Sequence, residues 1–323
     1  MARVSVKVQD LLNNYPPEYT YHVKKEWYDR AAYHHRHQHG TVKISRWQFA
    51  DSRKEPLFFQ QMPMKVLVRN DFFRYHEFDD EKTRVFWLNF ADSQLFGFYD
   101  GYMFAQDEIQ TLEHPLLGSV MEYIDRNETE TLVALTEQKG LPTPYIVEHV
   151  PYWIQIETNP VLPDGRRANL YGRRLRRSTP EERAQGFSVL QSEKKNNIIA
   201  MAAPCGGHGL YTVKQLEYLL KCAFSAFAGA TRVTAASKHK FCTIHTGKWG
   251  CGAFGNNEEL IHLVQLIAAS SVGVTNIVFH AVNHAALVKA FEKFREWKDA
   301  WSFSQLTEYL VSQKYQWSDE DGN

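Results

Sequence analysis

From residue 64 onward, apolar runs of strand length recur along the chain. They are Lys65-Val66-Leu67-Val68, Arg84-Val85-Phe86-Trp87-Leu88-Asn89-Phe90-Ala91, Leu132-Val133-Ala134-Leu135, Tyr152-Trp153-Ile154-Gln155-Ile156, Asn197-Ile198-Ile199-Ala200-Met201, Phe241-Cys242-Thr243-Ile244-His245 and Asn276-Ile277-Val278-Phe279-His280. Runs that are apolar throughout suit strands covered on both faces. Helical periodicity lies between several of them. Apolar residues fall at 216, 219, 220, 223, 224 and 227, and again at 260, 263, 264, 267 and 268. This alternation predicts an α/β layered domain with an internal sheet. The first 60 or so residues read instead as polar and helical, with Val8, Leu11 and Leu12 forming a short helix stopped by Pro16 and Pro17. A division into a helical accessory segment, 1–64, and a main domain, 65–323, follows.

Residues 157–196 are the most polar stretch and carry six arginines within twelve positions: Arg166, Arg167, Arg173, Arg174, Arg176 and Arg177. They read as a mobile surface excursion or as a clamp for a phosphorylated or acidic partner. The acidic tail from Ser318 is expected to fray. Charge is balanced, with 37 Lys+Arg against 37 Asp+Glu. That balance argues against a general nucleic-acid binder but leaves room for a local anion site. The four cysteines, at 205, 222, 242 and 251, have no CxxC spacing. The first residues show no signal-peptide pattern, and no stretch reaches the roughly 18 apolar residues of a membrane span. An intracellular location, cytoplasmic or nuclear, is the resulting expectation.

Candidate chemistry concentrates in two places. Thr246-Gly247-Lys248-Trp249-Gly250-Cys251-Gly252-Ala253-Phe254-Gly255-Asn256-Asn257 follows a predicted strand and leads into a helix near Glu258. Its four glycines allow close backbone approach, and the helix start favours an anion, as in a nucleotide cradle. Asn256 or Asn257 can cap that helix. The second place is Gln106-Asp107-Glu108, which opens an apolar helix. Adjacent carboxylates there serve as helix caps, or as a general acid once burial raises a pKa. His245 and Cys251 flank the glycine loop as a weaker nucleophilic pair. The tract His34-His35-Arg36-His37-Gln38-His39 reads as a solvated helix face and not a metal site, and no metal is expected elsewhere.

The glycine loop resembles the C-terminal signature of poly(ADP-ribose) glycohydrolases, TGxWGCGAFGGD, and departs from it at Asn256-Asn257. That family also carries a DFAN strand end, a GGG loop and a QEE helix start. Asn89-Phe90-Ala91-Asp92, Phe96-Gly97-Phe98 and Gln106-Asp107-Glu108 fall on these three without a gap. The likeness runs from about residue 65 to 315.

The resemblance implies a macrodomain-like layered α/β fold with a mixed central sheet and an N-terminal helical extension. It implies metal-free and cofactor-free hydrolysis of the ribose–ribose bond in poly- or mono-ADP-ribose. Glu108 takes the place of the family's catalytic acid and Asp107 that of its neighbour, one methylene shorter. Asn89 and Asp92 would orient the pair. Gly97, Gln106, Gly247, Trp249, Gly250, Cys251, Gly252, Ala253 and Phe254 would line the ligand site, with Phe254 packing against ribose or diphosphate. The implied partners are ADP-ribose or ADP-ribosylated proteins, with no membrane and no general nucleic-acid binding. Phe96 and Phe98 would place rings where the family has only hydrogen atoms. Two alternatives therefore stand beside the enzyme: an ADP-ribose-binding pseudo-enzyme, and a protein-interaction module that keeps only the fold.

Overall fold

A computed structural model describes residues 2–49, 64–73, 75, 80–191, 193–281, 284–297 and 300–318, with the backbone alone of Pro56 and Leu57. The last five residues of the acidic tail lie outside the described set.

Eight strands form the central sheet: β1 (Ala2–Lys7), β2 (Thr41–Arg46), β3 (Lys65–Arg69), β4 (Thr83–Ala91), β5 (Tyr145–Pro151), β6 (Lys195–Ala202), β7 (Phe241–Thr246) and β8 (Asn276–His280). Their order is β1-β2-β5-β6-β4-β7-β8-β3. β6, β4, β7, β8 and β3 run parallel, while β5, β2 and β1 extend the sheet through antiparallel pairings. The sheet is therefore mixed.

Helices cover both faces. On one side lie α1 (Val8–Asn14), α2 (His22–His35), α3 (Gln106–Glu113) and α4 (Leu116–Arg126); α5 (Pro180–Gln185) is a short outlying turn. On the other lie α6 (Val213–Ala235), α7 (Glu258–Ser271), α8 (Ala285–Glu296) and α9 (Phe303–Ser312). The strands split their residues between two cores by the two-residue period of the pleat. Phe86, Leu88, Ile199 and Met201 join the α6–α9 core, whereas Trp87, Ala91, Ile198 and Ala200 join the α1–α4 core. Asn89 falls on the second face by the same alternation. No helix among the described residues is long and apolar enough to cross a membrane.

Several expectations are corrected. Residues 1–64 hold the expected short helix at Val8 and a second, α2, yet they also supply β1 and β2 to the central sheet. Leu132–Leu135 is not a strand and makes only one isolated bridge, between Leu135 and Gln94. The strand expected at Tyr152–Ile156 is short (Ile154–Ile156) and pairs with Phe187–Val189 outside the main sheet. The place in the main sheet between β2 and β6 belongs instead to β5, whose Glu148 interrupts the apolar pattern. Glu148 is buried against Arg84 at 2.5 Å and also meets Arg3 at 3.2 Å. A paired buried charge costs far less than an isolated one, so a strand can carry it. The stretch 157–196 is anchored by buried Leu162, Ala168, Leu170 and Leu175 and is no loose excursion.

Candidate active site

The carboxyl ends of β4, β6 and β7 meet at one edge of the sheet, where parallel α/β sheets characteristically open a crevice. At the end of β4, Phe90 N–H donates to Gln106 Oε1 at 2.7 Å, and Gln106 Nε2 donates to Leu88 O at 3.0 Å. Gln106 therefore prolongs the strand's hydrogen bonding with a side chain and fixes where α3 begins. Asn89 Nδ2 donates to Asp107 Oδ1 at 2.9 Å, and Thr111 Oγ1 reaches the same oxygen at 3.3 Å. Glu108 Oε2 accepts the Ala105 N–H at 2.8 Å, capping the helix.

Both acids are buried, at 7% and 6% exposure. Loss of hydration pushes the Asp107 pKa up to about 7, and the Glu108 charge beside it adds to the rise. Burial raises Glu108 too, opposed chiefly by the Lys24 ammonium. Asp92 turns its carboxylate into its own turn, accepting from Ser93 Oγ at 2.9 Å and Gln94 N at 3.3 Å. Asn89 thus orients Asp107, whereas Asp92 acts on the pair only through its charge.

Lys24 is the residue sequence reasoning missed. It sits on α2 with no solvent exposure, its Nζ donates to Tyr99 O at 2.9 Å, and it lies 5.8 Å from the Phe104 ring centroid. Burial lowers its pKa to about 8, against the opposing fields of Glu108, Asp100 and Asp107. Nothing in Val23-Lys24-Lys25-Glu26 marks one lysine over the other. Lys25 is a surface partner of Asp29, and only the helix's orientation decides between them.

Lys24 belongs to a clamp on the loop that stands where the family has GGG. The N–H groups of Thr20 and Tyr21 both donate to Asp100 O, at 3.2 and 3.0 Å, and Glu18 N–H donates to Tyr99 OH at 2.7 Å. Within this loop Phe96 has φ +53°, a conformation that glycine adopts freely and phenylalanine rarely. Its ring is fully buried in the α1–α4 core, while Phe98 is 52% exposed. The backbone turn of a glycine is thus present at 96, with the ring directed into the core.

The loop after β7 lies across the ends of β4 and β6. A Cβ on Gly247 would stand 2.8 Å from His280 O and 3.4 Å from the Phe90 ring, so only glycine fits there. Gly250 has φ +69°, and a Cβ there would fall 2.4 Å from the Ala203 Cβ. Trp249 is fully buried and its Nε1 donates to Met201 O at 3.0 Å. Gly252 and Phe254 are partly buried and Ala253 is exposed; Phe254 packs on the α6–α9 core. Asn257 caps α7, accepting from Leu260 N–H at 3.1 Å. Asn256 is fully buried. Its Nδ2 donates to Pro204 O at 2.7 Å and Gly250 O at 2.9 Å, and its Oδ1 accepts from Tyr211 OH at 3.0 Å. Of the two asparagines that break the family pattern, Asn256 therefore ties the loop to the segment after β6, and Asn257 starts α7. Phe90 joins the two halves of the site, since its N–H holds Gln106 and its ring lies beneath Gly247.

The other candidates have different occupations. His245 is buried, stacks on Trp87 at 3.8 Å and hydrogen-bonds His280, which in turn meets Asp71 at 2.7 Å. Cys251 Sγ turns to Trp249 O, and burial pushes its thiol well above the usual range. A nucleophilic pair of the two is not formed. In the histidine tract, His35 stacks on Trp153 at 4.9 Å and bonds Leu190 O, so this member is packed and not solvated.

The family described as poly(ADP-ribose) glycohydrolase, macro domain fold, matches residues 171–289. No curated protein matches the chain. Among solved structures, the Thermomonospora curvata poly(ADP-ribose) glycohydrolase bound to the inhibitor ADP-HPD is 16% identical, with 83% of this chain and 88% of that chain covered and a TM-score of 0.46. The Deinococcus radiodurans enzyme in complex with ADP-ribose is 16% identical, with 73% and 84% covered and a TM-score of 0.39. The matched stretch contains the loop after β7 together with β6, β7 and β8. Over that stretch, residues 171–289, the chain is similar to the poly(ADP-ribose) glycohydrolase family of macro domain fold.

Proposed function

We propose that the protein is an ADP-ribosyl glycohydrolase that cleaves O-glycosidic ribose linkages of poly- or mono-ADP-ribose with Glu108 as general acid and base. One observation carries the reading: two buried carboxylates at the start of α3 lie beside a glycine loop, joined to it through Phe90. A carboxyl group whose pKa is raised by burial keeps its proton to higher pH than a solvated one and can deliver it to a leaving oxygen. In this reading Glu108 protonates the ribose oxygen as the C1–O bond breaks, leaving an oxocarbenium-like centre. The Glu108 carboxylate then takes a proton from the water that attacks that carbon, which restores the acid. Asn89 holds Asp107 in place, and Lys24 balances the charge that remains on the pair. The loop 247–254, with Trp249 and Gly250 fixing its path, would receive the diphosphate.

The test is release of ADP-ribose from an auto-modified polymerase by the purified protein. Release that disappears in Glu108→Gln supports the reading, and no release by the wild type sinks it. The Glu108 carboxylate is already engaged by the Ala105 N–H, which favours a second reading, a protein that binds ADP-ribose without cleaving it. Calorimetric binding of ADP-ribose without turnover would select that one.

A further inference from the structure

The arginine-rich turn at 172–177 borders the candidate active site. It is a 3₁₀ turn, Gly172–Arg177, held from beneath by the buried side chain of Leu175. Gly172 N–H donates to Phe104 O at 2.9 Å, and the Arg176 guanidinium lies over the Tyr102 ring at 5.2 Å. Tyr102 and Phe104 immediately precede Ala105, whose N–H holds Glu108. The turn is thus fastened to the segment that delivers the catalytic helix.

Arg173, Arg174, Arg176 and Arg177 are all exposed, and among the described residues none forms an ion pair. Arg166, by contrast, is tied to Asp164 at 2.7 Å. In a 3₁₀ turn, residues i and i+3 eclipse one another. Arg173 with Arg176, and Arg174 with Arg177, therefore form two columns of two guanidiniums. Each column presents two guanidiniums, and planar guanidinium groups grip phosphates bidentately. The carboxylates nearby are on α5, and Glu182 there is occupied by the Thr179 N–H. In a chain with no net charge, four cations without ion-pair partners among the described residues, fastened to the segment that leads into α3, form a local concentration of positive field.

We propose that Arg173, Arg174, Arg176 and Arg177 form a docking surface for the diphosphates of ADP-ribose units adjoining the one in the cleft. This inference rests on the glycohydrolase reading, and its test separates the two. Binding is measured with the Glu108→Gln protein, for a long ADP-ribose polymer and for free ADP-ribose, across a salt series. The comparison variant changes all four arginines to Gln in the same background, with a thermal melt as folding control.

The expected result is polymer binding weakened on the order of 10²-fold at low salt, ADP-ribose binding unchanged, and a salt slope shallower by about 3, as four phosphate contacts on a flexible strand require. Restoring the charge with four lysines should recover the slope but only part of the affinity. Wild-type binding of ADP-ribose with no gain for the polymer would overturn this inference and leave the glycohydrolase reading intact. Equal loss for monomer and polymer would overturn it as well, since the arginines would then shape the cleft itself. So would equally tight, arginine-dependent binding of a poly(A) strand of the same charge. Failure to bind either ADP-ribose ligand would sink both readings.

Discussion

Two loops frame the candidate site, and they reach a similar end by opposite means. The loop after β7 keeps its glycines because neighbouring groups leave no room at 247 and the backbone demands it at 250. Its rigidity comes from outside its own backbone, from buried Trp249 and Asn256 reaching Met201, Pro204 and Gly250. The loop before α3 has lost two of the three glycines of the family pattern. It keeps a positive φ at Phe96 and turns that ring into the core, and residues 18–24 fasten it from above. At 247 an added Cβ would strike backbone, so only glycine fits; at 96 the side chain has a core to enter.

Glu108→Gln should have the largest effect, lowering turnover on the order of 10²–10⁴-fold while leaving the fold intact, because only the proton transfer is removed. Single-turnover release of ADP-ribose measures it, and a loss under tenfold would move the acid elsewhere.

Next come the two buried rings. Trp249→Ala and Phe96→Ala should each destabilise by about 3–5 kcal/mol in urea unfolding. Phe96→Gly should be milder than Phe96→Ala, because glycine accepts the positive φ. If Phe96→Gly instead stabilised the protein, the ring would be no part of the core and the contrast between the loops would fail.

Lys24→Met should move the alkaline limb of the pH–rate profile upward, since Glu108 acts in its protonated form and the ammonium opposes the rise in its pKa. Lys24→Arg should restore the limb partly. A carboxyl-carbon NMR titration of Glu108 reports the same shift independently of turnover; an unmoved midpoint would leave Lys24 as a loop anchor alone.

Asp107→Asn tests the other acid through stability. The folded-state pKa, about 7, lies above the unfolded value near 4, so between these the native state binds more protons and loses stability as pH rises. The variant should match wild type near pH 4, gain on it up to pH 7 and hold that gain above. Denaturant midpoints across this range check the sign. Phe98→Ala should change stability by no more than about 0.5 kcal/mol, because its ring is half exposed. A larger loss would show that this loop uses both its rings.

The strands β4, β6, β7 and β8 were legible because parallel strands covered on both faces are continuously apolar, as Asn197–Met201 and Asn276–His280 are. β5 was not, because Glu148 looks like a surface residue until Arg84 is brought beside it from 64 positions away. β1 and β2 were missed for a related reason: polar residues interrupt both, facing solvent in β1, whereas Ser45 and Arg46 of β2 are buried against Trp47 and Thr143. In the site, the glycine loop and the carboxylates could be read from residue types and spacing. Lys24 could not, since its identity depends on which way α2 faces.

The sequence by itself determined the alternation of strands and helices, the position of the acid pair at a helix start, and the need for glycine after β7, because each is a local matter of periodicity, capping and φ. Only the tertiary structure decided that Phe96 enters the core, that Asn256 braces the loop, that Lys24 shares the field of Glu108, and that the arginine turn lies against Phe104. Those outcomes depend on contacts between residues far apart in the chain, 75 positions in the case of Lys24 and Tyr99, which no local pattern encodes.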